Sequence, residues 1–170
     1  SLARDAHSYL KEINHYMGVL EETYILERIS PYYKSKITEL KKNPKVYFVD
    51  TGLRNFVINN FLPFEKRSDV GALVENFVFS EFKKNLPDEM TIKYWRTEGK
   101  AEVDFIIDAV SSRIPVEVKY TSFKKPKISK SYRSFIDAYK PDTGLVLTRD
   151  FWGKMVIGKT TVYFIPVWYV

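Results

Sequence analysis

Residues Ala101-Glu-Val-Asp-Phe-Ile-Ile107 and Pro115-Val-Glu-Val-Lys119 each read as a β-strand with acidic groups set in an apolar pattern. A strand points alternate residues to one face, so Glu117 and Lys119 share a face. Asp104 stands between Val103 and Phe105-Ile-Ile107, where an unpaired carboxylate is costly to bury. Two carboxylates and an ammonium brought together on neighbouring strands would make a divalent-metal site with a basic partner, the minimum equipment for cutting a phosphodiester. A purely structural alternative stands beside it. Glu-x-Lys is also a common ion pair on a sheet face, and Glu102 could be the exposed partner of Lys119 or Arg96.

Strands are expected at 91–96, 102–108 and 114–120. Gly99 and Ser111-Ser112 mark the two turns, which makes an antiparallel meander. A helix over 128–139 ends at Lys140-Pro141. The apolar strand 144–148 follows it, in the sheet centre and parallel to an earlier strand because a helix precedes it. Residues 153–160 read as a turn region before a last strand at 162–167. Upstream, Val70, Leu73, Val74, Phe77, Val78 and Phe82 give a broad apolar face to a helix over 69–85, with Ser68 or Asp69 as N-cap and Leu86-Pro87 at its end. Glu75 lies beside that face, so it either snorkels outward or points into a polar pocket. The fold class is α/β, a mixed sheet flanked by helices on both faces.

Nearer the N-terminus, residues 2–20 carry helical periodicity, 22–30 read as extended and 45–50 as a strand after Asn43-Pro44. Helix, strand, basic connector and strand is the pattern of the later part of a winged-helix domain, with 31–44 as its wing. A helix that starts at the first residue suggests a chain cut from something longer. A short helix over 53–61 closes at Pro63. The expected division is a partial winged-helix segment at 1–50 and a nuclease-like domain at 51–170.

Cysteine is absent, which excludes disulfides, zinc-thiolate sites and thiol nucleophiles. No apolar run approaches the roughly 18 residues of a membrane span and no signal-peptide h-region is present, so the expectation is a soluble, cytoplasmic chain with no membrane partner. The net charge is +6. Its distribution says more than its size. From Arg113 to Arg133, seven cationic residues (Arg113, Lys119, Lys124, Lys125, Lys127, Lys130 and Arg133) face one acid, Glu117. A second cluster, Lys34, Lys36, Lys41, Lys42 and Lys45, faces Glu39. Clustered cations attract polyanions, and DNA is the expected partner. Lys124, Lys125, Lys127, Lys130 and Arg133 follow the Glu-x-Lys strand directly and are the candidate phosphate-backbone contacts; the alternative is a solvated loop.

A divalent ion needs several hard oxygen donors from different elements. Asp104 and Glu117 supply two, the Val118 carbonyl a third, and Glu75 another if its helix packs against these strands. Lys119 would orient the attacking water or offset charge on the phosphate. His7 and His15 lie in the N-terminal helix and read as surface or packing residues. Three aromatic pairs, Tyr94-Trp95, Phe151-Trp152 and Trp168-Tyr169, are candidates for stacking on unpaired bases, although such pairs in strands more often fill cores.

Glu75 on a helix, then Asp104, then Glu117-Val-Lys119 resembles the PD-(D/E)xK nuclease superfamily, the restriction-endonuclease-like fold. Four blocks, Lys45-Val-Tyr-Phe-Val-Asp-Thr-Gly-Leu-Arg54, Gly71-Ala-Leu-Val-Glu-Asn-Phe-Val78, Tyr94-Trp-Arg-Thr97 and Ala101-Glu-Val-Asp-Phe-Ile106, are similar to the uncharacterised C-terminal domain of archaeal and bacterial AAA-type ATPases. The resemblance covers roughly 45–148. It implies Mg²⁺ or Mn²⁺ at Asp104 and Glu117, Lys119 assisting the attacking water, and Glu75 in the active-site shell. Val103 stands where the superfamily has the proline of its Pro-Asp pair. No Gly-x-x-x-x-Gly-Lys-Ser/Thr segment is present, so any ATPase domain is missing from this chain. The resulting expectation is a Mg²⁺-dependent DNA nuclease domain, with a catalytically silent DNA-binding or protein-docking module as the alternative.

Overall fold

The computed structural model describes residues 9–33, 43–109 and 112–170. Helix α1 (Leu10–Glu22) leads into β1 (Leu26–Ile29), which pairs antiparallel with β2 (Lys45–Phe48). The expected wing between these strands, with Lys34, Lys36, Lys41 and Lys42, lies largely outside the described residues, as does His7. His15 is exposed on α1 beside the Tyr16 ring. Helix α2 (Thr51–Val57) follows, shorter than the expected 53–61 at its far end, with the Asp50 carboxylate accepting from Leu53 N–H. Among the described residues no helix is long and apolar enough to cross a membrane.

The rest of the chain builds a six-stranded mixed sheet. Helix α3 (Val70–Asn85) precedes the antiparallel meander of β3 (Thr91–Arg96), β4 (Glu102–Asp108) and β5 (Arg113–Lys119). Helix α4 (Lys130–Tyr139) then carries the chain over the sheet to β6 (Thr143–Thr148), parallel to β5 as the helical crossover requires. Residues 153–160 are not a bare turn region. Gly153–Ile157 forms β7, and Gly158, with φ of 60°, turns it into β8 (Thr160–Pro166). Its alternating exposure (Met155 half-buried, Lys154 and Val156 exposed) is the period-two pattern of an edge strand, weak beside the glycines that bracket it. The sheet order is β3-β4-β5-β6-β8-β7, with β5, β6 and β8 parallel.

Alternation along the central strands divides the interior into two layers. Val116, Leu147 and Phe105 face α3, where they meet Val74, Val78, Phe79 and Phe82. Val146, Val162 and Phe164 face α4, where they meet Tyr132, Phe135 and Ile136. The β1–β2 hairpin belongs to the same packing: Tyr47 stacks on Phe79 at 4.7 Å between ring centroids, and Ile29 is buried on the α3 side. Just past β1, Tyr94 N–H donates to Ser30 O at 3.2 Å, and Tyr32 inserts into the α4 layer beside Phe135. The hairpin is thereby latched onto the β3 edge.

Candidate active site

Asp104 owes its placement to an irregularity in β4. Lys93 is opposite Ile106 and Trp95 opposite Val103, so β4 advances three residues while β3 advances two. The extra residue is a β-bulge, with Asp104 and Phe105 facing Tyr94. The layers register it: Val103 packs on the α4 side and Phe105 on the α3 side, although a regular strand would put both on one face. On its other side β4 stops pairing with β5 at Phe105↔Val116. Where the ladder ends, the Asp104 carboxylate accepts the Val118 N–H at 2.8 Å. Val118 therefore meets Asp104 through its amide.

Glu117 sits one residue before that amide and is 4% exposed. Both of its oxygens are engaged: Lys119 Nζ lies 3.2 Å from Oε1, and Ser129 Oγ donates to Oε2 at 3.0 Å. Ser129 is the N-cap of α4 and also accepts the Tyr132 N–H, so helix start and site carboxylate share one hydroxyl. Lys119 remains half exposed at the end of β5.

Glu75 does not snorkel outward. From α3 it accepts the Tyr47 hydroxyl at 2.5 Å and the Lys45 ammonium at 3.0 Å. Lys45 also pairs with Glu102, which in turn pairs with Arg96. Of the two structural partners expected for Glu102, Arg96 is the one it takes; Lys119 goes to Glu117. Burial opposes the charge on Lys45, but Glu75 and Glu102 outweigh it and hold the ammonium above its usual range. Burial and the Glu75 carboxylate push the Tyr47 phenol well above its own, so it stays a donor.

These charges converge on Asp104. Burial first, then the Glu75 charge, with a smaller contribution from Glu117, push its carboxyl up to about 7, against the opposing pull of the Val118 amide and Lys45. Glu75 and Glu117 thus both act on Asp104, while Lys119 joins the group through its ion pair with Glu117. Among the described residues no three acidic or histidine side chains stand close enough together to hold a metal ion as they are. Lys124, Lys125, Lys127, Lys130 and Arg133 are all exposed, on the loop after β5 and the first turn of α4.

Lys45, Tyr47 and Ser129 were not among the expected site residues. Lys45 and Tyr47 are two apart on a strand and so share a face, a pairing masked by counting Lys45 with its neighbouring lysines. Ser129 carries a cap signal, a serine just before a helical run, but its reach to Glu117 depends on how α4 lies against β5.

Two curated relatives, uncharacterized proteins of Mycobacterium bovis and Mycobacterium tuberculosis, are each 30% identical to this chain over 135 residues, 78% of this chain and 30% of the relative. The chain thus spans about 30% of the length of the curated relatives it matches. Residues 1–63 match a family described as a domain of unknown function, DUF8612. Residues 70–168, from the first turn of α3 to the turn after β8, match the domain of unknown function DUF4143, and with more than half of its residues inside that match the chain belongs to the DUF4143 family.

Proposed function

We propose that this chain is a metal-dependent DNA phosphodiesterase of the PD-(D/E)xK, restriction-endonuclease-like type, the C-terminal part of an AAA-type ATPase whose ATPase domain lies outside it. The observation that carries the reading is Asp104. A bulge and the end of a strand ladder hold this carboxylate beside Glu117 and within reach of the Glu75 charge, where burial and like charge disfavour its ionised form. Such an arrangement costs stability and is characteristic of sites that handle charge.

The donor set fits a hard divalent cation such as Mg²⁺ or Mn²⁺. Asp104 and Glu117, with the Val118 carbonyl, would hold it, Glu75 joining them only by leaving its bonds to Lys45 and Tyr47, and a cation there would relieve the repulsion felt at Asp104. Bound, the ion supplies Lewis acidity and lowers the pKa of a water. The chain's own residues do the rest. Ser129 fixes the rotamer of Glu117. Lys119 presents an ammonium at the rim, where it would orient the attacking water or offset charge on the phosphate. Lys124, Lys125, Lys127, Lys130 and Arg133 would take the phosphate backbone by counterion release.

The test is cleavage of supercoiled, branched and single-stranded DNA by the chain with Mg²⁺ or Mn²⁺. Activity should appear and fall at least 100-fold in both Asp104→Ala and Lys119→Ala. Activity that survives both changes, or an inert chain, overturns the nuclease reading. A second reading, a silent DNA-binding or docking module, is favoured by the Lys45 ammonium: it already bridges Glu75 and Glu102, and among the described residues every buried side-chain polar atom has a partner. DNA binding that weakens steeply with salt, without cleavage, would support it.

A further inference from the structure

The three aromatic pairs divide sharply in the fold. Tyr94 and Trp95 are buried at 3% and 5% exposure, and Phe151 packs on Phe164 and Phe123. Trp152, Trp168 and Tyr169 remain 52%, 65% and 65% exposed. These three lie together, with centroid separations of 6.2 Å for Trp152–Trp168, 5.0 Å for Trp152–Tyr169 and 6.1 Å for Trp168–Tyr169, all edge to face. Their neighbours Phe151 and Val167 do the interior packing, so the fold has no need of three large rings in solvent here.

Their position gives them a partner. The parallel strands β5, β6 and β8 end level with one another, Lys119 beside Thr148 and Thr148 beside Pro166. The segments that follow all emerge at the carboxyl ends of these parallel strands, the side on which open α/β sheets bind their ligands. After β5 comes the lysine loop, after β6 the turn that carries Trp152, after β8 the turn that carries Trp168 and Tyr169. The first two touch: Arg149 N–H donates to Thr121 O at 3.2 Å, Ser122 Oγ donates to the Asp150 carboxylate at 2.6 Å, and Phe123 meets Phe151 at 6.0 Å. Asp150 is the acid of this junction, against Lys124, Lys125, Lys127 and Arg149. A cavity of about 330 Å³ opens between Trp168 and Tyr120, Phe64 and Phe77.

We infer that Trp152, Trp168 and Tyr169 form a stacking platform for the bases of an unpaired DNA strand whose phosphates run along the lysine loop from Lys124 to Lys130. Exposed rings beside a cationic track are what sequence-tolerant single-strand binding requires, because every base offers a π-face and every phosphate a charge. The inference names the substrate class of the site proposed above and rests on that DNA reading, though not on cleavage.

Titration of the chain with a 12-mer of deoxythymidine and with a blunt duplex of equal length tests it, read by tryptophan fluorescence. Of the three tryptophans Trp95 is buried, so quenching reports Trp152 and Trp168. The single strand should quench and bind more tightly than the duplex. Trp152→Ala and Trp168→Ala should each weaken single-strand binding by about 10-fold and leave duplex binding unchanged, with Trp168→Phe retaining most of the affinity. Exchanging Lys124, Lys125 and Lys127 for alanine should weaken both forms. Circular dichroism confirms that each variant is folded. Single-strand affinity unchanged in the alanine variants, or a duplex that quenches equally, overturns the platform. A chain that binds neither form overturns it together with the DNA reading. The titrations contain no divalent metal and cleavage is assayed separately with it, so failure of cleavage and failure of stacking are separable.

Discussion

Two aspartates, Asp69 and Asp104, show opposite uses of a carboxylate in one fold. Asp69, the N-cap residue of α3, makes no capping bond; its oxygens accept instead from Arg67 Nε and Nη2 and Arg54 Nη1, each at 2.9 Å, and from Asn60 Nδ2 at 3.2 Å. The Arg67 bond, partly opposed by burial, holds its carboxyl well below the usual range. Asp104 has one amide donor and carboxylates for company, and is pushed up to about 7. The first is a structural knot that ties α2 and the loop after it to α3. The second persists despite its surroundings, which is where selection for something other than stability is the economical explanation.

The largest effect expected from this contrast follows Asp69→Ala. The Arg67 side chain, 2% exposed, would lose its counter-charge while remaining in the interior. Removing one partner of a buried pair costs about 3 kcal/mol, roughly 10 °C in Tm for a chain of this size. A thermal melt at pH 7 checks it, and a loss below about 1 kcal/mol would show that Asn55 and the Asn60 carbonyl suffice for Arg67. The stabilisation is fully present above the unfolded aspartate value of 3.8 and is lost as pH falls toward the lower folded value.

Asp104→Asn should move stability the other way. Asparagine keeps an acceptor for the Val118 amide and removes the charge. With the folded value raised, Asp104 keeps its proton in the fold while the unfolded chain ionises, so its cost is absent below 3.8, grows between 3.8 and about 7, and is constant above. Melts at pH 4 and pH 8 should show little difference from the unaltered chain at the first and a gain of about 5 °C at the second, with cleavage lost. A loss of stability at pH 8 would instead place Asp104 in the same class as Asp69.

The sheet was legible because its strands announce themselves locally. The meander, the parallel β6 and the helices on both faces follow from apolar alternation, turn residues and one crossover. β7 is hidden because it is a short edge strand between Gly153 and Gly158, whose turn signal outweighs its alternation. For the site, Glu117 and Lys119 were readable as a pair, since two positions on a strand is a fixed geometry. Asp104 was readable as costly, but the bulge that aims it is a property of how β3 and β4 register against each other, and no residue type in 101–107 signals it. Lys45 reaches Glu75 across thirty positions of chain, a contact that exists only once the hairpin is latched to the sheet. Of the two cap candidates, Ser68 and Asp69, Asp69 does stand at the N-cap position, but two guanidiniums take its oxygens in place of the capping bond.

The smallest expected effect isolates the hydroxyl that serves both helix and site. Ser129→Ala removes the cap on Tyr132 N–H and the donor to Glu117, and should cost about 1 kcal/mol, the ordinary value of an N-cap. Ser129→Asp separates the two roles. Aspartate caps a helix as well as serine does, but it cannot donate, and it would set a further carboxylate against a buried one. The aspartate variant should therefore be no more stable than the alanine variant at pH 7, and should recover relative to it at pH 4, where the new carboxyl takes up a proton. Equal recovery at both values would mean that Ser129 matters to α4 alone, and that Glu117 is held in place by Lys119 and the sheet.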